Sequence, residues 1–363
     1  MSGVLPARPD RDGMAWFDGL LADRPAEASG DPAALDRGGW WAVVVTFEGE
    51  VRLWRFDRVR RAPLPVPRRP WRAPHGAWRT SLDSAAFVAG VHEIRHRIRE
   101  GDVYQVNLCR VLDAPVAGDA DPWALAQILA AGNPAPYAGV VDVPATAATP
   151  ATSLVTASPE LFLERDGDRV TSAPIKGTAP TAAGLLPKDE AENVMIVDLV
   201  RNDLQRVCRP GTVAVPSLLR VESHPGLVHL VSAVEGRLST GVTWPDLLAA
   251  TAPPGSVSGA PKSSALRAIR DLEPVPRGPY CGAVGYVDAD RGHARLAVGI
   301  RTFWLGGGRL RFGTGAGITW GSDPAREWDE TRLKAARLVG LTTGAARRAR
   351  RTGHDERVGV VRA

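Results

Sequence analysis

The chain has 363 residues, 44% of them hydrophobic, enough to bury one large core or two ordinary ones, and it carries a formal net charge of +5. Much of that excess sits in Arg347, Arg348, Arg350 and Arg351, with no interleaved aromatic residues to stack on bases, so no nucleic-acid surface is expected. Cys109, Cys208 and Cys281 are too few and too scattered for a disulfide framework or a zinc site, and no apolar run suits a signal sequence or a membrane span, so a cytoplasmic setting is expected.

Residues 1–78, rich in Pro, Arg and Gly, read as an abridged lead-in that contributes strands, with a hairpin formed by 40–47 and 51–56 about Gly49. Apolar Phe87, Val91, Ile94 and Ile98 recur at helical spacing over 81–99, and Gly101-Asp102 closes that helix before a strand over 103–112. A short helix is predicted over 123–131. Strands 161–165 and 169–173 flank Asp166-Gly167-Asp168, a strong hairpin signal. A long helix over 188–207 is followed by a strand at 230–238, a helix at 244–250 and another at 261–271, entered through Pro261. Strands at 282–288, 296–304 and 310–312 precede a last helix over 325–341, and 346–363 form a basic tail. Hairpins mixed with helices, without an internal repeat, predict an α+β fold rather than a regular βαβ series.

Only four of the 45 cationic side chains are lysine: Lys176, Lys188, Lys262 and Lys334. A buried ammonium, or one beside other positive charge, can shed its proton and act as a nucleophile, which a guanidinium cannot do. Lys176, set in Pro174-Ile175-Lys176-Gly177-Thr178, is therefore the first candidate for chemistry. A turn at 166–168 would place Glu160 opposite Lys176 across two strands, either as an acid and a nucleophile in one site or as a cross-strand ion pair. Asp189 and Glu192 lie three apart on one predicted helix, and Glu327 and Glu330 three apart on another. These pairs either converge on a hard cation such as Mg²⁺ or complement helix dipoles, with Glu330 pairing to Lys334. The run Gly-Thr-Gly-Ala-Gly at 313–317 reads as a turn whose backbone N–H groups could face an anion. Residues 255–263 imitate a P-loop, but Pro261 stands where glycine must precede the lysine, which argues against nucleotide binding. No cysteine has the glycine-flanked setting of an amidotransferase nucleophile, so any ammonia used must come from elsewhere.

Ten motifs in order resemble the chorismate-utilising enzymes, and among them the large subunit (component I) of aminodeoxychorismate synthase. They are GDVYQVNL (101–108), SPELF (158–162), PIKGT (174–178), ENVMIVDLVRNDL (192–204), VHLVS (228–232), GSVSGAPK (255–262), RGPYCGAVGY (277–286), GIRT (299–302), GAGI (315–318) and SDPAREWDETRLKA (322–335). The resemblance runs from Arg79 to Leu341 and implies that 79–345 form a chorismate-binding catalytic domain. Its implied fold is α+β, two large antiparallel sheets packed as a sandwich with outer helices.

By the same resemblance, Glu192 and Glu330 would hold Mg²⁺ with Asp189 and Glu327 in support. Gly315, Ala316 and Gly317 would receive the ring carboxylate; Gln105, Thr178, His229, Arg301 and Lys334 would contact substrate; Glu160 would be the general acid and Lys176 the nucleophile. Relatives that add water to chorismate carry Lys where this chain has Gln105, and anthranilate synthases usually read PIAGT where this chain reads PIKGT. The implied activity is amination of chorismate to 4-amino-4-deoxychorismate for 4-aminobenzoate and folate or a related secondary pathway, with ammonia from a separate glutamine amidotransferase subunit. Alternatives are anthranilate synthase component I and an inactive scaffold for a glutaminase. Joint retention of Glu160, Lys176, Glu192 and Glu330 argues against the scaffold. Ala173 and Ala179 stand where the family commonly has Arg, and Gln205 where it has Gly.

Overall fold

Runs rich in β-branched and aromatic residues dominate the chain and pair antiparallel throughout the described part. The computed structural model describes residues 13–179, 181–185, 187–224 and 227–344; the side chains of Thr178, His224 and Leu227 and the basic tail lie outside the described part. The strands are β1 (Met14–Phe17), β2 (Leu20–Ser29), β3 (Trp40–Val45), β4 (Val51–Arg61), β5 (Arg79–Thr80), β6 (Gln105–Pro115), β7 (Tyr137–Val143), β8 (Thr152–Ser158) and β9 (Leu161–Asp166). They continue as β10 (Arg169–Ala173), β11 (Ile175–Ala179), β12 (Ala214–His224), β13 (Leu227–Arg237), β14 (Gly259–Ala260), β15 (Ala283–Asp288), β16 (His293–Val298), β17 (Thr302–Gly306) and β18 (Arg309–Ile318). The helices are α1 (Ser84–Arg99), α2 (Pro122–Gly132), α3 (Pro187–Gln205), α4 (Trp244–Thr251), α5 (Lys262–Leu272) and α6 (Pro324–Thr342).

The expected α+β architecture is present, as a large curled antiparallel sheet with helices packed on it. Its hydrogen bonding runs without a break from β12 through β13, β10, β9, β16, β15, β3, β4, β2, β1, β7, β8, β17 and β18 to β6. At one end β11 joins β13, and at the other β5 and β14 join β6. Strands from the first 78 residues are interior members: β1 pairs with β7, and β3 with β15. None of the described helices is long and apolar enough to cross a membrane.

Local signals explain the helices. Asp83 caps α1 through the Ala86 N–H, and Phe87, Val91 and Ile94 form its buried stripe. Thr243 and Asp246 close a capping box on α4, and Asp323 with Pro324 opens α6. Buried Arg110 of β6 docks α6 by donating to Thr331 Oγ1 at 3.0 Å and stacking over Trp328 at 4.3 Å.

Two of the expected elements need correction. The predicted strand over 296–304 is split into β16 and β17, because Arg301 takes a left-handed φ of 51° between them. The glycine run at 313–317 is no turn: it lies inside β18, paired with β6 from Asn107 to Val111. Its glycines answer close packing instead. A Cβ at Gly313 would fall 2.0 Å from the Tyr280 ring, and one at Gly315 2.5 Å from Cys109 Sγ.

Candidate functional site

The two ends of the sheet meet over the first turns of α3, and Glu192 joins them. Lys176 of β11 donates to Glu192 Oε1 at 2.7 Å, and Gln105 of β6 donates to the same oxygen at 2.9 Å. Gly317 of β18 permits this meeting, since a Cβ there would lie 2.6 Å from Glu192 Oε1 and 2.5 Å from Gln105 Nε2. Asp189 approaches from the same helix, where a Cβ on Gly177 would fall 2.8 Å from its own Cβ.

The expected register between Glu160 and Lys176 is not what forms. The hairpin pairs Asp166 with Arg169 and Arg165 with Val170, slips at a bulge between Thr171 and Ala173, and ends at Leu161 opposite Ala173. Beyond Pro174 the chain leaves β9, and Lys176 pairs with Leu230 of β13. The ion-pair partner of Lys176 is therefore Glu192. Proximity to Glu160 survives by tertiary packing, because the Lys176 charge is one of the influences lowering the Glu160 pKa.

Glu160 follows β8 and is 3% exposed. Its backbone N–H donates to the Ser158 hydroxyl at 3.2 Å and its carbonyl accepts from the Val298 N–H at 3.0 Å, while the Ser158 hydroxyl donates to the Val298 carbonyl at 2.7 Å. Burial pushes its carboxyl up to about 7 against the opposing influences of the Ser256 hydroxyl, Lys176, the Ile175 backbone and Lys334. Its Oε1 has no hydrogen-bond partner among the described residues. A carboxyl in that state is substantially protonated near neutrality and can donate a proton.

Several other predicted residues surround this pair. Gln105 is fully buried, with Oε1 unpartnered among the described residues. His229 is buried on β13, between Thr178 of β11 and Glu222 of β12; the Thr178 side chain itself lies outside the described residues. Lys334 Nζ bridges Glu330 Oε1 at 2.7 Å and the Gly315 carbonyl at 3.1 Å, with buried Ala316 next in the strand. The Arg301 guanidinium makes no hydrogen bond or ion pair among the described residues, and burial, then the nearby Arg337, lowers its pKa. A guanidinium with no such partner keeps its hydrogen-bond donors available. Lys262, by contrast, is structural, donating to Asp203 at 2.6 Å and to the Thr251 carbonyl at 3.0 Å.

The four predicted metal ligands lie on α3 and α6, and three of them, Glu330, Glu192 and Glu327, act on the Lys334 charge. Burial raises Glu327, the Ser322 hydrogen bond opposes this, and Glu330 adds repulsion. At Glu330, burial is outweighed by Lys334, with Lys188 and Lys176 adding to it, and the pKa is lowered. Burial opposes the charge on Lys334, yet Glu330, Glu192 and Glu327 together raise its pKa. Among the described residues no three metal-ligating side chains close to coordination distance. Mg²⁺ is commonly held by only one or two carboxylates, with water and substrate oxygens completing its shell. The all-carboxylate donor chemistry, with Glu192 and Glu330 each held by a lysine, fits that mode.

Sequence reading passed over Asn107, Ser256 and Arg277, although all three lie in the quoted motifs. Asn107 Nδ2 donates to the Ser256 carbonyl at 2.8 Å, and the buried Arg277 guanidinium ties the Val257 and Asn107 carbonyls together at 2.9 and 2.8 Å. Their signal was only a polar residue inside an apolar run. A cavity of about 450 Å³ lies elsewhere, beside Met14, Asp142 and the β17–β18 turn. Its Arg69 and Asp119 are already paired, and Asp121 caps α2.

Glu160 and Lys176 bring a carboxyl that burial keeps substantially protonated near neutrality close to a lysine amine, and Arg301 has a guanidinium without an ion-pair partner among the described residues. Residues 46–340 match the family model described as chorismate binding enzyme, and the chain belongs to that family. It is 39% identical over 304 residues to anthranilate synthase component 1 of Thermus thermophilus, covering 80% of this chain and 64% of that protein. It is 36% identical over 318 residues to aminodeoxychorismate synthase component 1 of Klebsiella aerogenes, covering 82% of this chain and 68% of that one. The crystal structure of anthranilate synthase component I from Streptococcus pneumoniae superposes with a TM-score of 0.77 at 25% identity, covering 93% of this chain and 94% of that chain. The chain thus spans about two thirds of the length of these two curated relatives.

Proposed function

We propose that the chain is an aminodeoxychorismate synthase component I, converting chorismate and ammonia to 4-amino-4-deoxychorismate. The observation carrying this reading is the Lys176 amine, whose charge acts on the buried Glu160 carboxyl and which stands in the motif position where anthranilate synthases usually have alanine. In the proposed sequence Lys176 Nζ bonds to C2, the ring double bond shifts, and the C4–O bond breaks as Glu160 supplies the proton that lets the hydroxyl leave as water. Ammonia then bonds to C4, the double bond shifts back and the C2–N bond to Lys176 breaks. The extra proton on the new amine returns to Glu160. Arg301 and the β18 edge at Gly315–Gly317 would take the two substrate carboxylates. Bound at Glu192 and Glu330, with Asp189 and Glu327 in support, Mg²⁺ would neutralise a substrate carboxylate and compete with Lys176 for Glu192.

A separate glutamine amidotransferase subunit would supply the ammonia. The alternative, anthranilate synthase component I, is favoured by the names of several relatives and differs in releasing pyruvate. Incubating the chain with chorismate, Mg²⁺ and an ammonium salt should yield 4-amino-4-deoxychorismate without pyruvate; anthranilate with stoichiometric pyruvate would overturn the proposal.

Excess EDTA should abolish this turnover and added Mg²⁺ restore it. Glu330→Gln should lower it at least about tenfold at fixed Mg²⁺, with partial recovery at higher Mg²⁺. Full activity in EDTA would remove the metal from the scheme.

A further inference from the structure

We propose that Ser256 is a positioning residue for the Glu160 carboxyl, with Asn107 and Arg277 clamping the turn that carries it. The inference rests on the reading of Glu160 as the general acid. Ser256 and Glu160 line one small cavity of about 10 Å³, together with Ser172, Pro174, Asp203 and Thr251. Both are almost wholly buried, at 5% and 3% exposure. Glu160 Oε1 has no hydrogen-bond partner among the described residues, and the Ser256 hydroxyl, on the wall of the same cavity, favours the Glu160 carboxylate. The Ser256 backbone is held far more firmly than a loop residue requires. Ser256 lies in the 3-10 turn Gly255–Val257, where its carbonyl accepts from Asn107 Nδ2 at 2.8 Å and the Val257 carbonyl accepts from Arg277 Nη1 at 2.9 Å. The Ser258 hydroxyl donates back to the Pro254 and Gly255 carbonyls, and the Asn107 N–H donates to the Ser258 carbonyl at 2.9 Å.

Three consecutive residues of the turn are thus anchored. A hydroxyl held in this way fixes the carboxyl at little further entropic cost. The same Asn107 accepts from Gln105 Nε2 at 3.4 Å, and that nitrogen also reaches Glu192, the partner of Lys176. One polar chain therefore runs from the Ser256 carbonyl to the lysine through Asn107, Gln105 and Glu192.

The charged groups facing Glu160 are Lys176 from β11, Lys334 from α6, and across the small cavity Asp203 of α3, itself paired with Lys262. None of these is altered by removing the Ser256 hydroxyl. Because that hydroxyl favours the carboxylate, its loss moves the Glu160 titration to higher pH.

The test compares pH profiles of kcat/KM for the wild type, Ser256→Ala, Ser256→Thr, Asn107→Ala and Glu160→Gln, using chorismate, Mg²⁺ and an ammonium salt, with thermal midpoints measured alongside. Ser256→Ala should lose about tenfold in kcat with KM within about twofold, and its basic limb should move to higher pH. Ser256→Thr, which keeps the hydroxyl, should recover most of the rate and the original limb. Asn107→Ala, which frees the turn, should shift the limb in the same direction as Ser256→Ala and keeps the test available if that variant does not fold. An unmoved limb in Ser256→Ala, or in Asn107→Ala where Ser256→Ala does not fold, overturns the proposal. If the basic limb persists in Glu160→Gln, the acid assignment itself fails; if it vanishes there yet stays in place in Ser256→Ala, only the positioning role fails.

Discussion

Enzyme quenched with chorismate and Mg²⁺ but without ammonia should carry a covalent ring adduct at Lys176, visible by intact-protein mass spectrometry. Lys176→Ala should remove the adduct and cost roughly a thousandfold or more in turnover, since the reaction would lose the step that splits one difficult displacement into two. Lys176→Arg should not rescue it, because a guanidinium stays protonated and does not attack carbon. The amine is only 11% exposed and is held by Glu192 at 2.7 Å, so few orientations are open to it. A wild type without adduct under several quench conditions, together with an alanine variant that keeps the rate and product, would reduce Lys176 to an electrostatic role.

Glu160→Gln should lower kcat/KM by about 10² to 10⁴, the range spanned by general acid–base catalysis. The pH dependence has a definite sign. Burial first of all raises the Glu160 carboxyl from its ordinary value of 4.5 to about 7, so the proton it must donate is present below that pH and lost above it. In the wild type kcat/KM should therefore fall as pH rises through about 7, and this basic limb should be missing from the residual activity of Glu160→Gln. An ordinary carboxyl at this position would place the fall two units or more lower, below about pH 5. A profile that remains flat from pH 6 to 9 in the wild type would exclude Glu160 as the acid.

The local elements were legible wherever period and punctuation agreed. The hairpin about Asp166–Asp168, the stripe of α1 and the helix over 324–342 follow from turn chemistry, 3.6-residue spacing and caps, all of which act within a few residues. Misreadings arose where a distant partner decided the outcome. Glycines 313, 315 and 317 look like a turn until Tyr280, Cys109 and Glu192 are seen pressed against them. β1 and β2 went unnoticed among Pro and Arg because their places in the sheet are set by pairing with each other and with β7 and β4.

Sequence by itself determined the chemical inventory of this protein: a scarce lysine, acids spaced three apart on two helices, ordered motifs and an α+β pattern. Only tertiary structure decided which groups act on which. It gave Lys176 to Glu192 instead of Glu160, left Arg301 without an ion-pair partner among the described residues, and set Ser256 on the same small cavity as Glu160. The physical reason is that a carboxyl's proton affinity depends on desolvation and on charges brought in from remote segments. For Glu160 those come from β11, α6 and the turn at Gly255–Val257, and no local pattern around Ser158-Pro159-Glu160 contains them.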